Sequence, residues 1–328
     1  MIVKTDVIVC SHQRELMISL VQLFLNEKMI LLLRLYKDQI PKETLEALNY
    51  LPIEVKSRVI QYNLEEKSIG LFHLKSLIVN NCKDLFFSFL VAFKKKGNKS
   101  VVFFDATIPA KVLSMFGTVD LLEHGAVNYI ERSLDDRSSE SYGRSRRIKN
   151  VYLLNPDKCP PSLRQKVKKY DFFYHYKSLT IINREYILKV FGVTSELDFN
   201  LLSSKTILIT QPLSEDGIVS ESFKLDLYSA LISDNHIIKP HPREKTDYNK
   251  HFTCTTLKKN IPMELIFLLG HESSSYETIY STSILSQDCT GNKRAHGVDF
   301  NGGLFASIKK NKPQDKSFTR KFFDENFR

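Results

Sequence analysis

The chain has 328 residues, of which 42% are hydrophobic and 26% are charged. This composition is that of a soluble globular protein, and it excludes disordered, collagen-like and disulfide-scaffold classes. Lysine and arginine outnumber aspartate and glutamate by 47 to 37, which gives a net charge of +10. The positive excess predicts an anionic partner, such as a nucleic acid, an anionic membrane surface or a nucleotide-activated substrate.

The cysteine pattern and the N-terminus bear on the cellular compartment. The cysteines are odd in number, widely spaced and without a Cys-x-x-Cys pair, which favours a reducing compartment over a disulfide framework or a zinc site. The first residues lead directly into a strand pattern and lack the features of a signal peptide. The longest apolar stretch, residues 17–36, is interrupted by charges, so we expect a cytoplasmic protein with at most peripheral membrane contact.

The first part of the chain alternates strand and helix patterns. The β-branched run at residues 6–10 predicts a strand, and apolar residues at helical spacing then predict a helix. Further strands are expected at residues 29–36, 54–63 and 101–105, with a long helix at residues 71–95. This alternation predicts a mostly parallel sheet in an α/β domain.

The second part repeats the α/β pattern after a polar interruption. Residues 131–150 predict an exposed loop, and a strand at 151–154 and a helix at 184–192 follow it. A new block begins with a strand at 205–213, a helix at 220–233 and a strand at 236–242. A chain of this length usually forms two domains, and a boundary near Asn200 gives domains of residues 1–200 and 201–328.

The first candidate site is the segment Lys239-Pro240-His241-Pro242-Arg243-Glu244 at the end of a predicted strand. Ligands of open α/β sheets bind beyond the carboxyl ends of the strands. Two flanking prolines would present His241 rigidly at such an end. The other interpretation is an ordinary surface turn.

Two turns that combine an acid with a glycine also follow predicted strands. Glu123 precedes His124 and Gly125, and Asp216 lies before Gly217. A carboxylate in such a turn can act as a general base, so Glu123 and Asp216 compete for that role. Glu123 can instead cap a helix or pair with a lysine, and the turn at Asp216 can simply lead the chain into the next helix.

A run of serines, Ser273 to Ser275, precedes a predicted helix that begins at Tyr276. Hydroxyls and free N–H groups at a helix N-terminus bind phosphate or carboxylate, although an ordinary N-cap has the same pattern. The sequence has no Asp-x-Asp, Walker A, Gly-x-Gly-x-x-Gly or His-Glu-x-x-His motif, and no metal site is predicted.

In chain order, the segments Glu123-His124-Gly125, His241-Pro242 and Ser274-Ser275 resemble the acidic-acidic-Gly, His-Pro and Ser-Ser motifs of the bacterial sialyltransferases of the GT-B fold. This group includes lipooligosaccharide, O-antigen and capsule sialyltransferases and polysialyltransferases. Residues 7–20 also resemble the first strand and helix of such enzymes. The second acidic position of the first motif is here a histidine.

The resemblance implies an α/β protein of GT-B architecture, with two Rossmann-like domains that face a central cleft. The first domain would hold the acceptor and the second the CMP-donor. The implied reaction is an inverting, metal-independent transfer of sialic acid from CMP-sialic acid to a hydroxyl of a terminal galactose on a bacterial surface glycan. The general base would be Glu123; the alternative is Asp216, at the position where some lipooligosaccharide sialyltransferases have the base.

The resemblance also implies how the donor is bound. His241, as an imidazolium, would donate to the CMP phosphate, and Ser274 and Ser275 would bind the phosphate or the sialic acid carboxylate. Lys239 and Pro242 belong to the same donor-binding set. No cofactor is expected, because protein donors replace a metal ion at the departing phosphate.

Two other functions stay open. One is another GT-B transferase with a CDP- or CMP-activated donor, such as a glycerophosphotransferase or a Kdo transferase. The other is a non-enzymatic basic protein that binds nucleic acid or a membrane surface, although no nucleic-acid motif is present and nucleic acid is not an expected partner. The preferred location is the cytoplasm, with peripheral contact at the inner membrane face through a lipid-linked acceptor.

Overall fold

The computed structural model describes residues 5–36, 39–65, 71–95, 97–129, 141–193, 205–269, 275–279, 281–285 and 291–296. The chain divides into two compact units, Met1–Gly192 and Val193–Arg328. Asn200, where the sequence predicts the boundary, lies outside the described residues.

The first unit is built on a seven-stranded sheet in the order β3-β2-β1-β4-β5-β6-β7. Every neighbouring pair of strands is parallel. The strand order reverses between β1 and β4, and ligands of open α/β sheets bind at such a reversal. The strands are β1 (Val7–Cys10), β2 (Ile30–Leu35), β3 (Val59–Asn63), β4 (Lys99–Val102), β5 (Thr118–Leu122), β6 (Ile148–Leu153) and β7 (Val167–Lys169).

Apolar side chains from neighbouring strands form the core of this unit, among them Val9, Leu32, Val102 and Leu121. A strand that is buried on both faces reads as a continuous apolar run, which is why β1 and β2 are recognisable in the sequence. The helices are α1 (Gln13–Leu25), α2 (Lys42–Ala47), α3 (Ile53–Lys56), α4 (Leu71–Lys94), α5 (Ile108–Met115), α6 (Phe172–Lys177) and α7 (Ile181–Val190).

The second unit contains a four-stranded parallel sheet in the order β11-β10-β8-β9. Its strands are β8 (Thr206–Ile209), β9 (His236–Lys239), β10 (Ser275–Thr278) and β11 (Lys293–Ala295), and its helices are α8 (Glu221–Ser229) and α9 (Met263–Leu269). The Ser220 hydroxyl accepts a hydrogen bond from Phe223 N and so caps α8.

The predicted α/β class with parallel sheets is confirmed, and two local predictions are wrong. Residues from Tyr276 onward form β10 rather than a helix, because their backbone pairs with β8 and Tyr276 packs on Phe267 in the interior. Residues 54–63 form a strand only from Val59, since Pro52 precedes the short helix α3. The GT-B arrangement of the two units stays a prediction.

One segment of the described residues, Lys75–Lys94 of α4, is long and apolar enough to cross a membrane by length and composition, and 28% of it is buried. Its buried positions include the polar residues Ser76, Asp84 and Ser88 as well as Val91 and Ala92. Asp84 accepts two hydrogen bonds from the Arg34 guanidinium on β2, at 2.7 and 2.9 Å. This buried ion pair attaches α4 to the sheet of the first unit.

Candidate functional site

The carboxyl ends of the central strands in the first unit surround a cavity of about 260 Å³. It lies at the reversal of strand order, where the fold predicts a ligand site. The residues that line it follow or end β1, β2, β4 and β5, or reach it from α1 and the segment before β6: Val9, Ser11, His12, Glu15, Arg34, Tyr36, Val102, Phe103, Phe104, Thr107, His124 and Tyr142.

Glu15, the third residue of α1, is the buried acid of this cavity. Its Oε2 accepts hydrogen bonds from the backbone N–H groups of Ser11 and His12, at 2.7 and 3.2 Å. Its Oε1 lies 2.7 Å from His124 Nδ1 and 3.5 Å from His12 Nδ1. Burial raises the pKa of Glu15, but the hydrogen bonds from both histidines outweigh it, so the pKa lies below its ordinary value.

Glu123, the predicted base, lies at the end of β5 with its carboxylate enclosed by donors. Oε1 accepts from Arg14 Nη2 at 3.0 Å, and Oε2 accepts from Leu154 N at 2.9 Å and from the Tyr129 hydroxyl. The side chain is 8% exposed and does not line the cavity. These contacts hold the strand end together, and they do not favour the predicted role of Glu123 as base.

An aromatic wall of the cavity depends on an unusual turn. Tyr142 has φ 57°, in the left-handed region that few side chains adopt. The Asp105 carboxylate accepts from the N–H groups of Tyr142 and Gly143, at 2.8 and 3.0 Å, and thereby holds the turn. The Phe104 ring lies 5.1 Å from the Tyr142 ring and 6.1 Å from the His124 ring. The sequence interpretation missed this wall, because Tyr142 falls within the segment assigned as a polar loop.

The second unit brings His241, Asp216 and Arg243 together. They lie in the loops that follow β9 and β8, and since these strands are parallel neighbours, both loops leave the same edge of the sheet. The Asp216 carboxylate accepts two hydrogen bonds from the Arg243 guanidinium, at 2.6 and 3.0 Å. Both side chains are about one-third exposed, so the pair is accessible to a ligand.

Local hydrogen bonds fix the position and tautomer of His241. Its backbone N–H donates to Glu244 Oε2 at 2.6 Å, and its Nδ1 accepts from Arg243 N at 3.2 Å. In the neutral ring the proton is therefore on Nε2, which is the free donor. Glu244 is buried and also accepts from the hydroxyls of Thr210 and Tyr248, both at 2.5 Å. Sequence reasoning missed this positioning role of Glu244, although the residue lies within the recognised segment.

Burial, assisted by the charges of Arg243 and Lys239, lowers the pKa of His241 to about 4. The ring is therefore neutral at pH 7, and the predicted imidazolium requires an anion beside it. A lowered pKa means that the unfolded chain binds the proton more readily, so the second unit loses stability as the pH falls from about 6.5 towards 4.

We expect the NMR titration of the His241 ring in the free protein to have its midpoint near 4, because the ring is buried beside two cationic side chains. A midpoint at 6 or above would contradict this environment.

Lys239 and Pro242, the other predicted donor contacts in this loop, differ in position. Lys239 is 2% exposed, and its ammonium donates to the carbonyl oxygens of Pro240 and Lys259. Burial lowers the pKa of Lys239 to about 7. Its contacts are those of a residue that supports the loop from beneath. Pro242 lies in the turn directly after His241.

Of the two predicted donor-binding serines, the described one, Ser275, lies at the opposite edge of the sheet from His241. Ser275 begins β10 opposite Thr206, so it lies at the amino edge of the sheet, whereas His241 follows the carboxyl edge. Ser274 lies outside the described residues. The carboxyl end of β10 instead leads to Ser281 and Ser283, whose hydroxyl oxygens are 2.7 Å apart. A second cluster, Ser-Thr-Ser at 281–283, was the overlooked signal in the sequence.

Two units with parallel sheets and polar residues at their carboxyl edges define an α/β protein of the open-sheet type, in which ligands bind at those edges. A family model described as Glycosyltransferase family 52 matches residues 53–297. The chain belongs to this family, and the predicted membership of the bacterial sialyltransferase group is confirmed. The match spans parts of both units.

Similarity to individual proteins is more limited. An uncharacterized protein of Haemophilus influenzae is 30% identical over 177 residues, which cover 51% of this chain. The chain spans 58% of the length of that curated relative.

Solved structures resemble the chain at low identity. A UDP-GlcNAc 2-epimerase from Neisseria meningitidis, bound to UDP-GlcNAc, is 15% identical with a TM-score of 0.44, over 85% of this chain and 78% of that one. A UDP-glucosyltransferase from Polygonum tinctorium is 11% identical with a TM-score of 0.47, over 98% and 93%. The fold assignment rests on the strand order of this chain itself.

Proposed function

We propose that this glycosyltransferase transfers sialic acid from CMP-sialic acid to a hydroxyl of a terminal sugar, galactose, on a bacterial surface glycan. Membership of family 52 supports the reaction class. The observation that carries the proposal is the group His241, Asp216 and Arg243 at the carboxyl edge of the second sheet. It combines a proton donor, a carboxylate and a cation, which together suit a sugar linked to a phosphate.

In the proposed mechanism, the Nε2–H of His241 donates to the departing CMP phosphate, and Arg243 adds positive charge beside it. The bond between the anomeric carbon and the phosphate oxygen breaks, and CMP leaves with the bonding electrons. The acceptor hydroxyl attacks the same carbon from the opposite face, so the configuration inverts. Its proton passes to a carboxylate, and no metal ion is required.

Asp216 is about one-third exposed, whereas Glu123 is 8% exposed and does not line the cavity, so we assign the base role to Asp216. In the donor complex the Arg243 guanidinium would turn from Asp216 to the CMP phosphate and leave the carboxylate free to accept the proton. Asp216→Asn should lower the transfer rate by at least about 100-fold, because base catalysis of this kind contributes 10²–10⁴-fold. The matched variant Glu123→Gln should retain most of the rate per folded molecule. Initial rates of CMP release measure both, with circular dichroism as the check on folding. The reverse order of losses would return the base role to Glu123.

The identity of the donor is tested by measuring the turnover of CMP-sialic acid, CDP-glycerol and CMP-Kdo in metal-free buffer with EDTA. We expect transfer from CMP-sialic acid to a galactose-terminated acceptor, with little turnover of CDP-glycerol or CMP-Kdo. Turnover of CDP-glycerol or CMP-Kdo alone would show that the enzyme uses a different activated donor, and it would contradict the proposal. Linkage analysis of the product then identifies the hydroxyl that is used.

The proposal includes peripheral contact with the inner membrane face, and α4 supplies the surface for it. The outward side of this helix exposes large apolar residues: Leu77, Ile78, Leu85, Phe86 and Phe93. Lysines such as Lys75 and Lys94 flank them, and the only acid of α4 is the buried Asp84. An apolar face bordered by cations is typical of helices that lie at an anionic lipid surface.

Co-sedimentation with vesicles tests this contact. The wild-type protein should bind vesicles that contain phosphatidylglycerol. Phe86→Asp combined with Phe93→Asp should weaken binding by at least about 10-fold, because two aromatic side chains no longer enter the lipid and the added carboxylates are repelled by the anionic surface. The matched control is Ile181→Asp, which changes an equally exposed apolar residue on α7. Equal binding by all three proteins would exclude α4 as the membrane surface.

A further inference from the structure

We infer that His12, Glu15 and His124 form a binding site for one divalent transition-metal ion of the zinc class. The site belongs to the cavity of the first unit. It is separate from the residues to which the transfer reaction is assigned. The inference therefore does not depend on the proposed function.

The donor atoms already lie close together. One nitrogen of each histidine and one carboxylate oxygen of Glu15 are all within 4.8 Å of one another. Glu15 Oε1 is 2.7 Å from His124 Nδ1 and 3.5 Å from His12 Nδ1. Ligands about 2.0–2.1 Å from a tetrahedral zinc ion are separated by about 3.4 Å, so small side-chain rotations bring the three atoms to ligand spacing.

Surrounding contacts orient the three ligands independently of a metal. Two backbone N–H groups hold Oε2 of Glu15, which leaves Oε1 directed at the imidazoles. The backbone N–H of His124 donates to Asn128 Oδ1 at 2.8 Å and fixes the turn after β5. The rings of His12 and His124 meet edge to face, with centroids 5.2 Å apart. Outer contacts of this kind are what position the ligands of protein metal sites.

The composition and opening of the cluster indicate the class of ion. Two imidazoles and one carboxylate suit zinc, cobalt and nickel, whereas magnesium and calcium prefer oxygen ligands alone. Three protein ligands leave a fourth position, and the cluster borders the cavity of about 260 Å³. That position is therefore available to water or to an anionic or hydroxyl-bearing ligand in the cavity.

The experiment measures zinc binding to the full chain after EDTA treatment and desalting. Calorimetry gives the affinity and stoichiometry, and cobalt(II) as a substitute gives visible absorption bands that report tetrahedral coordination. His12→Ala and His124→Ala each remove one ligand from a partly exposed side chain, and each should weaken binding by at least about 10-fold. Glu15→Gln should weaken zinc binding to the same extent. If the Glu15→Gln variant fails to fold, the two histidine variants decide whether the cluster binds zinc.

The matched control is His236→Ala, which disrupts another group of two histidines around a glutamate. In that group His236 Nε2 lies 2.9 Å from Glu277 Oε2, and His296 contacts the other oxygen of Glu277. We expect this control to keep wild-type affinity and the cobalt bands. Absence of micromolar zinc binding, or binding that His124→Ala leaves unchanged and His236→Ala abolishes, would overturn the inference.

Discussion

The His241→Ala variant is expected to lose at least about 100-fold in transfer rate while it remains folded. Removal of a single donor to the charge that develops in a transition state costs about 10²–10³-fold. His241 lies in a loop beyond β9, and its ring is a donor through Nε2 rather than a part of the apolar core. The rate of CMP release at saturating donor is the direct measurement.

The matched control for this variant is His251→Ala, which removes an exposed histidine of the same unit. It should keep the wild-type rate. If His241→Ala retained more than about one-third of the wild-type rate with an unchanged circular dichroism spectrum, the donor role of His241 would be wrong. The His-Pro segment would then serve the fold rather than the reaction.

Asp84→Ala is expected to produce the largest loss of stability. Arg34 and Asp84 are both almost fully buried, and the variant leaves the Arg34 guanidinium without its carboxylate. Burial lowers the pKa of Arg34, but Asp84 more than reverses this, and the arginine stays charged. Removal of one partner of a buried pair costs about 3–5 kcal/mol. Urea unfolding followed by circular dichroism measures the loss in the first unit.

Two further variants separate the charge effect from lost packing. The double variant Arg34→Met with Asp84→Leu should be less destabilised than Asp84→Ala, because no unpaired charge remains. Asp226→Ala, which changes an exposed acid on α8, should alter stability by no more than about 0.5 kcal/mol. A loss below about 1 kcal/mol in Asp84→Ala would show that the pair does not hold α4 to the sheet.

Much of the fold was predictable because buried parallel strands carry continuous apolar runs. Residues 7–10 and 30–33 appear in the sequence as such runs, and both lie in strands. The helix expected at Tyr276 failed for a non-local reason. The segment is short, and its conformation is decided by pairing with β8 and by the packing of Tyr276 on Phe267. Local patterns do not contain that information.

The candidate site was predictable where its residues adjoin in sequence. His241 and Arg243 lie two positions apart, and Asp216 was recognised as a second possible base. The cluster of Glu15 with His124 was not found, because it joins residues 109 positions apart. No spacing rule connects the first turn of α1 to the end of β5. Only the parallel order of β1, β4 and β5 brings these two ends together.

The most direct test of the central assignment is a titration of the folded chain with CMP, followed by the NMR signals of the histidine rings. The His241 signal is identified by its absence in His241→Ala. Binding of the anionic phosphate at the second unit should shift the His241 signal and raise its pKa from about 4, and it should leave the His124 signal unchanged. A CMP-dependent shift of His124 with none at His241 would contradict the placement of the donor site in the second unit.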